Sequence, residues 1–320
     1  MDHIAPSVAV MALSPTLSGG LRAAVAMTVL GCSTGVTALL GSYPLPGGQA
    51  VRYTLAATVL LPLARRTGRL RPRLTGRELG LLLALAATGL FAFNVLMVQA
   101  LRHTDPAVVG SVIGCTPLLM GVLGPVLAGR RPEARLLAAA AVVVAGAAVV
   151  QGFGSGDAVG FLCALGTLLC EAAFSLLAVP LLPRLGAVRV SAYSTALAVP
   201  MFALTALVAD GSAALRVPTG GELLALLYLG AVLTCGAFLL WYGALGRLGP
   251  ERAGLFGGLI PVSAALSGAL LGSGVLHPGE LAGSVLVGAG VCLGLTGRRP
   301  APPTAAHTTT PASRAVEPVR

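Results

Sequence analysis

No lysine occurs in this chain of 320 residues, and only a tenth of its residues are charged. A soluble domain carries roughly a quarter charged residues, so the shortage excludes a sizeable soluble domain. The missing lysine goes with an abundance of Ala, Gly and Pro, and we read both as the coding bias of a GC-rich genome. The net charge of +10 invites a nucleic-acid partner. The arginines, however, are spread between apolar stretches rather than gathered on one face, and that argues against nucleic acid. The six cysteines, Cys32, Cys115, Cys163, Cys170, Cys235 and Cys292, all fall in apolar stretches. None has CxxC spacing or a histidine in a ligand pattern, so no disulfide framework, metal or cofactor is expected. HExxH, nucleophile-elbow and phosphate-loop motifs are missing, and His3, His103, His277 and His307 are dispersed. The N-terminus lacks the positive segment of a signal peptide: Asp2 and His3 stand there, and Pro6 and Pro15 interrupt a weak apolar run. Residues 1–20 are expected to form a cytoplasmic tail. Residues 298–320, rich in Pro, Thr and Ala, are expected to form a disordered cytoplasmic tail.

What the chain does have is apolar length. Stretches near or above about 18 residues recur, the length a helix needs to cross a bilayer. Ten spans are predicted, at 23–41, 48–64, 79–101, 107–128, 136–154, 160–182, 190–209, 223–245, 253–275 and 281–297. With this count the arginines sort by side. Eighteen of the 21, among them the run Arg65, Arg66, Arg69, Arg71, Arg73 and Arg77, fall on one face, and only Arg102 and Arg216 sit in the opposite loops. Positive residues favour the cytoplasmic side, which puts both termini inside a cell (inner) membrane.

Residues 100–150 repeat without a gap at 244–294. The offset of 144 matches Pro106 with Pro250, Gly110 with Gly254, Gly114 with Gly258 and Pro117 with Pro261. Five spans fall in residues 21–156 and five in 157–297. An odd count makes the second half enter from the opposite side. The expected fold is therefore an all-α integral membrane protein of ten transmembrane helices, built as two inverted five-helix repeats, the usual plan of a secondary transporter.

Within the spans, Gly110, Gly114, Pro117, Gly121 and Gly124 lie on one helical face, and Gly254, Gly258, Pro261, Ala265 and Gly268 repeat it. Such a face lets two backbones approach, as a static interface or as a hinge. Pro117 and Pro261 each free a carbonyl, that of Ile113 or Gly257. In hydrocarbon a freed carbonyl needs a partner or a wet cavity. A midplane cavity at the proline pair is the expectation, with Thr116 as the alternative partner. Glu171 is the one acid well inside a span. At a helix centre an acid costs about 2.5–3.5 kcal/mol on insertion scales, so it should face a cavity or a partner. Thr167 and Ser175 share its face. Glu171 is thus a candidate for proton coupling or for binding a substrate amine, against a purely structural hydrogen-bonded role. Arg52 either snorkels to the outer interface or binds an anionic group. Asn94 and Gln99 either line a cavity or bond between helices. Trp241 and Tyr242 are expected in an interfacial aromatic belt.

The span order and the segment ALRHTDPAVVGSVIGCTPLLMGVLGPVLAGRRP, with its second copy ALGRLGPERAGLFGGLIPVSAALSGALLG, resemble the EamA family of the drug/metabolite transporter superfamily. The likeness covers residues 21–297. It implies a central cavity between the halves, an arginine early in the second span (here Arg52), and proton-linked or facilitated export of amino acids and other small metabolites. Relatives often carry Gly-Glu after the fourth and ninth spans. Arg130 and Gly274 stand there instead, so a role for those acids does not carry over. The expected function is export of a small amino acid-like or drug-like metabolite by alternating access. The partners are a small-molecule substrate, the lipid bilayer and, as the coupling ion, protons, in a monomer or homodimer. A membrane-embedded enzyme acting on a lipid-linked substrate would need titratable groups to converge. A non-transporting scaffold would leave the buried acid and paired prolines unexplained. Replacing Glu171 with Gln is expected to abolish or uncouple transport while the protein stays folded in the membrane. Flux with unchanged rate and pH dependence in that variant would remove Glu171 from the coupling mechanism.

Overall fold

The computed structural model describes residues 14–40, 43–67, 73–152, 155–211, 216–270 and 277–296, and these are helical throughout apart from short connections and one isolated bridge. Of the expected tails, residues 1–13 and 298–320 lie outside the described residues. Helix α1 (Pro15–Ala38) takes the end of the first. It starts eight residues ahead of Ala23, because Ser14 caps it through the Leu17 N–H and Pro15 sits in its first turn. Proline is tolerated there, where its missing N–H would be unpaired anyway. Then follow α2 (Leu45–Arg66), α3 (Gly76–Ala84) and α4 (Phe93–His103) joined by a π-helical stretch Leu85–Ala92, α5 (Pro106–Ile113), α6 (Thr116–Leu127) and α7 (Ala134–Gln151). The second half runs α8 (Ala158–Leu176), α9 (Leu182–Asp210, kinked at Gly186), α10 (Gly220–Leu227) and α11 (Phe238–Leu248) joined by a π-helical stretch Tyr228–Ala237. It ends with α12 (Pro250–Gly254), a 3₁₀ turn, α13 (Leu259–Leu270) and α14 (Pro278–Leu295).

Seven helical runs among the described residues are long and apolar enough to cross a membrane, three fewer than the ten spans expected. The others fall short for visible reasons. Helix α2 carries Arg52 and Pro62, α7 is too short, and the run from Pro250 to Leu270 is broken. The two interrupted segments break at matching places, just before Pro117 and Pro261, as a proline inside a helix requires. The Ile113 carbonyl freed there accepts a hydrogen bond from Thr116 Oγ1 at 2.6 Å.

Duplication is visible further back than residue 100. Thr75 and Thr219 each cap a helix in a reciprocal box with Glu78 or Glu222. Each box is followed by a π-helical stretch, which starts ten residues after Thr75 and nine after Thr219. The boxes themselves hold the offset of 144. Matched helices of the two halves meet antiparallel. A Cβ added at Gly124 would touch Pro250 at 3.1 Å, at Gly254 Met120 at 2.8 Å, and at Gly257 Pro117 at 3.9 Å. Residue numbers rise on one helix as they fall on the other. Helices α7 and α14 cross in the same way, through Gly146 against Val287, Gly283 against Val150 and Gly290 against Val143. The first helix of each half packs on the third and fourth segments of the other half: α1 on α11 and α13, α8 on α4 and α5.

Connections sort into two sets. Arg130 pairs with Glu251 at 2.5 Å, Arg184 pairs with Glu78, and Arg135 donates to Thr296 Oγ1 at 2.6 Å, all at one end of the bundle. At the other end Tyr43 Oη donates to the Arg216 carbonyl at 2.9 Å, and His103 meets Asp157 at 3.0 Å. There the Ser155 N–H, then its hydroxyl, hold the Asp105 carboxyl below its ordinary value. The Gly160 N–H, then the His103 side chain, do the same for Asp157. A lowered carboxyl stabilises the fold above its unfolded pKa and loses that contribution as the pH falls through its folded one. This clasp is therefore whole at neutral pH.

The α7–α14 crossing leaves no room for side chains. At Gly146 a Cβ would come within 2.7 Å of the Gly283 carbonyl oxygen, whereas at exposed Gly288 it meets nothing within 4 Å. Gly146→Leu is expected to lower stability by about 1–3 kcal/mol or more, the usual cost of overpacking, and Gly288→Leu to leave it unchanged. Thermal unfolding of the detergent-solubilised variants checks the pair, and equal midpoints would contradict the crossing.

Candidate functional site

A cavity of about 600 Å³ lies between α1, α2, the α3–α4 run, α8 and the α10–α11 run, so both halves build it. Its lining extends from Tyr43, Pro44 and Leu45 at the α1–α2 connection down to Met27, Glu171 and Trp241. Most of the wall is apolar: Leu30, Leu90, Phe93, Leu226, Leu229, Leu233 and Phe238 contribute to it. Arg52 and Glu171 are the charged side chains that face it.

Each charge is placed by its helix. Arg52 lies two turns into α2. Its Nε donates to Thr234 Oγ1 at 2.8 Å and its Nη1 to Gln49 Oε1, one turn back, at 3.4 Å. The guanidinium carbon stands 5.2 Å from the centre of the Tyr53 ring, a cation–π distance. The side chain therefore turns inward and does not snorkel to the interface. Glu171, in the second half of α8, faces the cavity with neither a hydrogen bond nor an ion pair among the described residues. Asn94 opens onto the same space while its amide donates to the Leu90 carbonyl at 2.7 Å.

One end of the cavity is shut. Phe174 packs against Phe238 and Tyr242, ring centres 4.9 and 5.1 Å apart. Trp241 is fixed in the wall by its indole N–H, which donates to Ser175 Oγ at 3.1 Å. Below these rings the start of α1 lies on the end of α11: a Cβ at Gly19 would fall 2.9 Å from Leu248. This closed end carries Arg22 and Arg247, so it is the arginine-rich end.

Of the residues picked out in the sequence, the fold brings Arg52, Asn94 and Glu171 into one cavity and places Ser175 directly behind its wall. Thr167 is fully buried and donates to the Cys163 carbonyl, away from the lining. Gln99 is exposed and accepts from Arg102 at 3.3 Å. The proline pair, where a cavity was expected, does not line this one. Pro117 packs on Gly257, Pro261 is also outside the lining, and Thr116 satisfies the freed carbonyl instead. Gly114, Gly254 and Gly258 are packing points against Ala147, Met120 and Val143, and the Gly110 carbonyl accepts from the Gly114 N–H at 2.8 Å. Nor do Trp241 and Tyr242 form an interfacial belt. Both are buried, 4 % and 1 % exposed, because Ser175 and the Phe174 ring hold them inside. The sequence reading passed over Gln49, Tyr53 and Thr234. Gln49 carried a signal, a polar group one helical turn from Arg52 in an apolar run. Thr234 carried none.

The model of the EamA-like transporter family matches residues 14–151 and again 158–296. The chain is 28 % identical over 241 residues to the uncharacterized transporter YetK of Bacillus subtilis (strain 168), covering 73 % of each chain. It is 31 % identical over 111 residues to a probable terminal-alkyne amino-acid exporter of Streptantibioticus cattleyicolor, covering 35 % of this chain and 37 % of that one. A solved crystal structure shares the fold with a TM-score of 0.73 at 24 % identity, over 87 % of this chain and 97 % of the other. With a family match to each half and a shared fold along most of its length, the chain belongs to the EamA-like transporter family.

Proposed function

We propose that the chain is an inner-membrane exporter of a small amino acid-like or drug-like metabolite, working by alternating access with both termini in the cytoplasm. The observation that carries this reading is the cavity. It holds one positive and one negative side chain in an apolar wall, between two halves that share it, and it is shut at the arginine-rich end. In this reading α2, α7 and the broken run from Pro250 to Leu270 join the seven apolar runs to make ten spans. Residues 21–156 and 157–297 are then five-helix repeats, inverted about an axis in the membrane plane, as the antiparallel meeting of matched helices supports. The closed arginine-rich end faces the cytoplasm, so the cavity is open to the outside. Arg52 takes an anionic group of the substrate. Glu171 takes either a proton, in which case protons are the coupling ion, or the substrate's amine.

Purified protein in liposomes, given a panel of amino acids, nucleosides and cationic dyes, is expected to move at least one of them faster under an imposed pH gradient. Fluxes equal to those of empty liposomes across the panel would count against the reading. Accessibility gives a second check. Thr37→Cys, on the lining toward the α1–α2 connection, should react in a cysteine-free background with a membrane-impermeant thiol reagent added outside. Leu245→Cys, 2 % exposed beneath the aromatic floor, should stay unreactive from that side. The reverse pattern would place the opening at the other face.

A further inference from the structure

The two halves also meet below the aromatic floor, where the start of α1 lies against the end of α11. Two arginines share that groove, Arg22 from the first half and Arg247 from the second. A Cβ added at Gly243 would stand 2.9 Å from Arg22 Nη1 and 3.7 Å from Arg247 Nη1. The two guanidiniums therefore flank one small space, which exists because residue 243 has no side chain. Arg247 is fixed there, since its Nη1 donates to the Gly243 carbonyl at 2.9 Å. Arg22 is half-buried and makes neither a hydrogen bond nor an ion pair among the described residues. Neither arginine lines the cavity.

Like charges this close repel, and a half-buried guanidinium without a partner is costly. Membrane orientation does not ask for such a pair. It needs arginines on the cytoplasmic side, not two of them from different halves over one glycine. Glu78 and Glu251, acids at the same end, are taken by Arg184 and Arg130. An anion between the two guanidiniums would relieve the repulsion. The planar fork of an arginine, with its parallel N–H groups, suits a carboxylate or a phosphate. The repeat shows that the pair is confined to one end. At the offset of 144, His103 stands for Arg247 and Gly166 for Arg22. His103 is held by Asp157, and a Cβ at Gly166 would fall 2.9 Å from Leu96.

We infer that Arg22 and Arg247 form an oxyanion seat at the arginine-rich end of the seam between the halves, on the far side of the floor from Arg52. It takes a carboxylate or phosphate group, carried either by a dissolved molecule or by a lipid headgroup. Its cytoplasmic location rests on the reading of the chain as an exporter with both termini inside. Its chemistry does not.

Phenylglyoxal, which condenses with guanidinium groups, supplies the probe. The full-length protein is labelled in dodecyl maltoside micelles, in an amine buffer free of oxyanions, and peptide mass spectrometry reads each arginine separately. Arg102, exposed at the opposite end, is the internal control. Inorganic phosphate should slow the labelling of Arg22 several-fold and saturably, and leave Arg102 unchanged. Sodium chloride of equal ionic strength, which only screens, should not do so. Phosphatidylglycerol added to the micelles is the second arm. Protection by dissolved phosphate supports the seat and assigns it to a soluble anion; protection by phosphatidylglycerol alone supports it and assigns it to a headgroup. Gly243→Ala is a mild variant, because its Cβ meets the tip of a flexible side chain that can move aside. In it, and in Arg247→Gln, protection of Arg22 should be lost while Arg102 labelling and the thermal midpoint match the wild type. No protection by either anion would overturn the proposal. So would equal protection by chloride, protection that survives in both variants, or an Arg22 that phenylglyoxal does not reach. A liposome assay without flux, beside the protection expected here, would count against transport and leave the seat standing.

Discussion

Backbone-to-backbone contact between matched helices is the constraint from which the rest of this structure follows. Lipid tails are as apolar as leucine, so helices in a bilayer gain little by hiding hydrophobic side chains from it; close packing must hold them together. At Gly146, Gly283 and Gly290 a single added carbon would strike backbone atoms of the opposing helix. Helices α7 and α14 can approach so closely only in one register. Because the two are copies of one another, that register also fixes how the halves lie. The second antiparallel crossing, of α6 with α12 and the turn after it, obeys the same rule through Gly124, Gly254 and Gly257. With these crossings set, the remaining helices surround a space, and that space is the cavity.

Polar groups then distribute by cost. A charge in an apolar wall is expensive unless it meets a partner or water. Arg52 meets three partners: Thr234, Gln49 and the face of the Tyr53 ring. Glu171 meets none among the described residues and looks into the cavity. Most other side-chain hydroxyls in the helices, such as Thr167, Ser194 and Thr195, bond back to carbonyls of their own helix and take no part in the cavity. The ion pairs Arg130–Glu251 and Arg184–Glu78 join the two halves at the arginine-rich end. They stand on the side where the aromatic floor already closes the cavity.

How much of this the sequence disclosed depends on which physical rule each feature obeys. Helical class, the apolar runs and the gapless repeat follow from composition and spacing, and they are seen in the fold. The proline breaks before Pro117 and Pro261 follow from a missing N–H. Arg52, Asn94 and Glu171 stood out because polar groups are rare in apolar runs, and they gather at one place. The cavity described here lies away from the proline pair, and a freed carbonyl reads the same in sequence whether a wet space or a neighbouring threonine satisfies it. Trp241 was misread because an aromatic ring near a helix end suits a membrane interface as well as a packed floor. Only its bond to Ser175, 66 residues away, decides. Thr234 was out of reach, because it meets Arg52 from a π-helical stretch that no residue pattern announced. The early register of the repeat, by contrast, was readable. Thr75 with Glu78 and Thr219 with Glu222 stand 144 apart, and counting capping boxes as well as glycines would have extended the match.

The scaffold is doubled but the seat of Arg52 is not. Leu90 stands where a second Thr234 would be. A protein whose two sides were faithful copies would present every guest with two equivalent seats, head-first or tail-first. Here one cation and one anion line the cavity, each from a different half, so its two sides are not equivalent. Duplication supplied a frame of two matched halves, and divergence at a handful of positions gave that frame a front and a back.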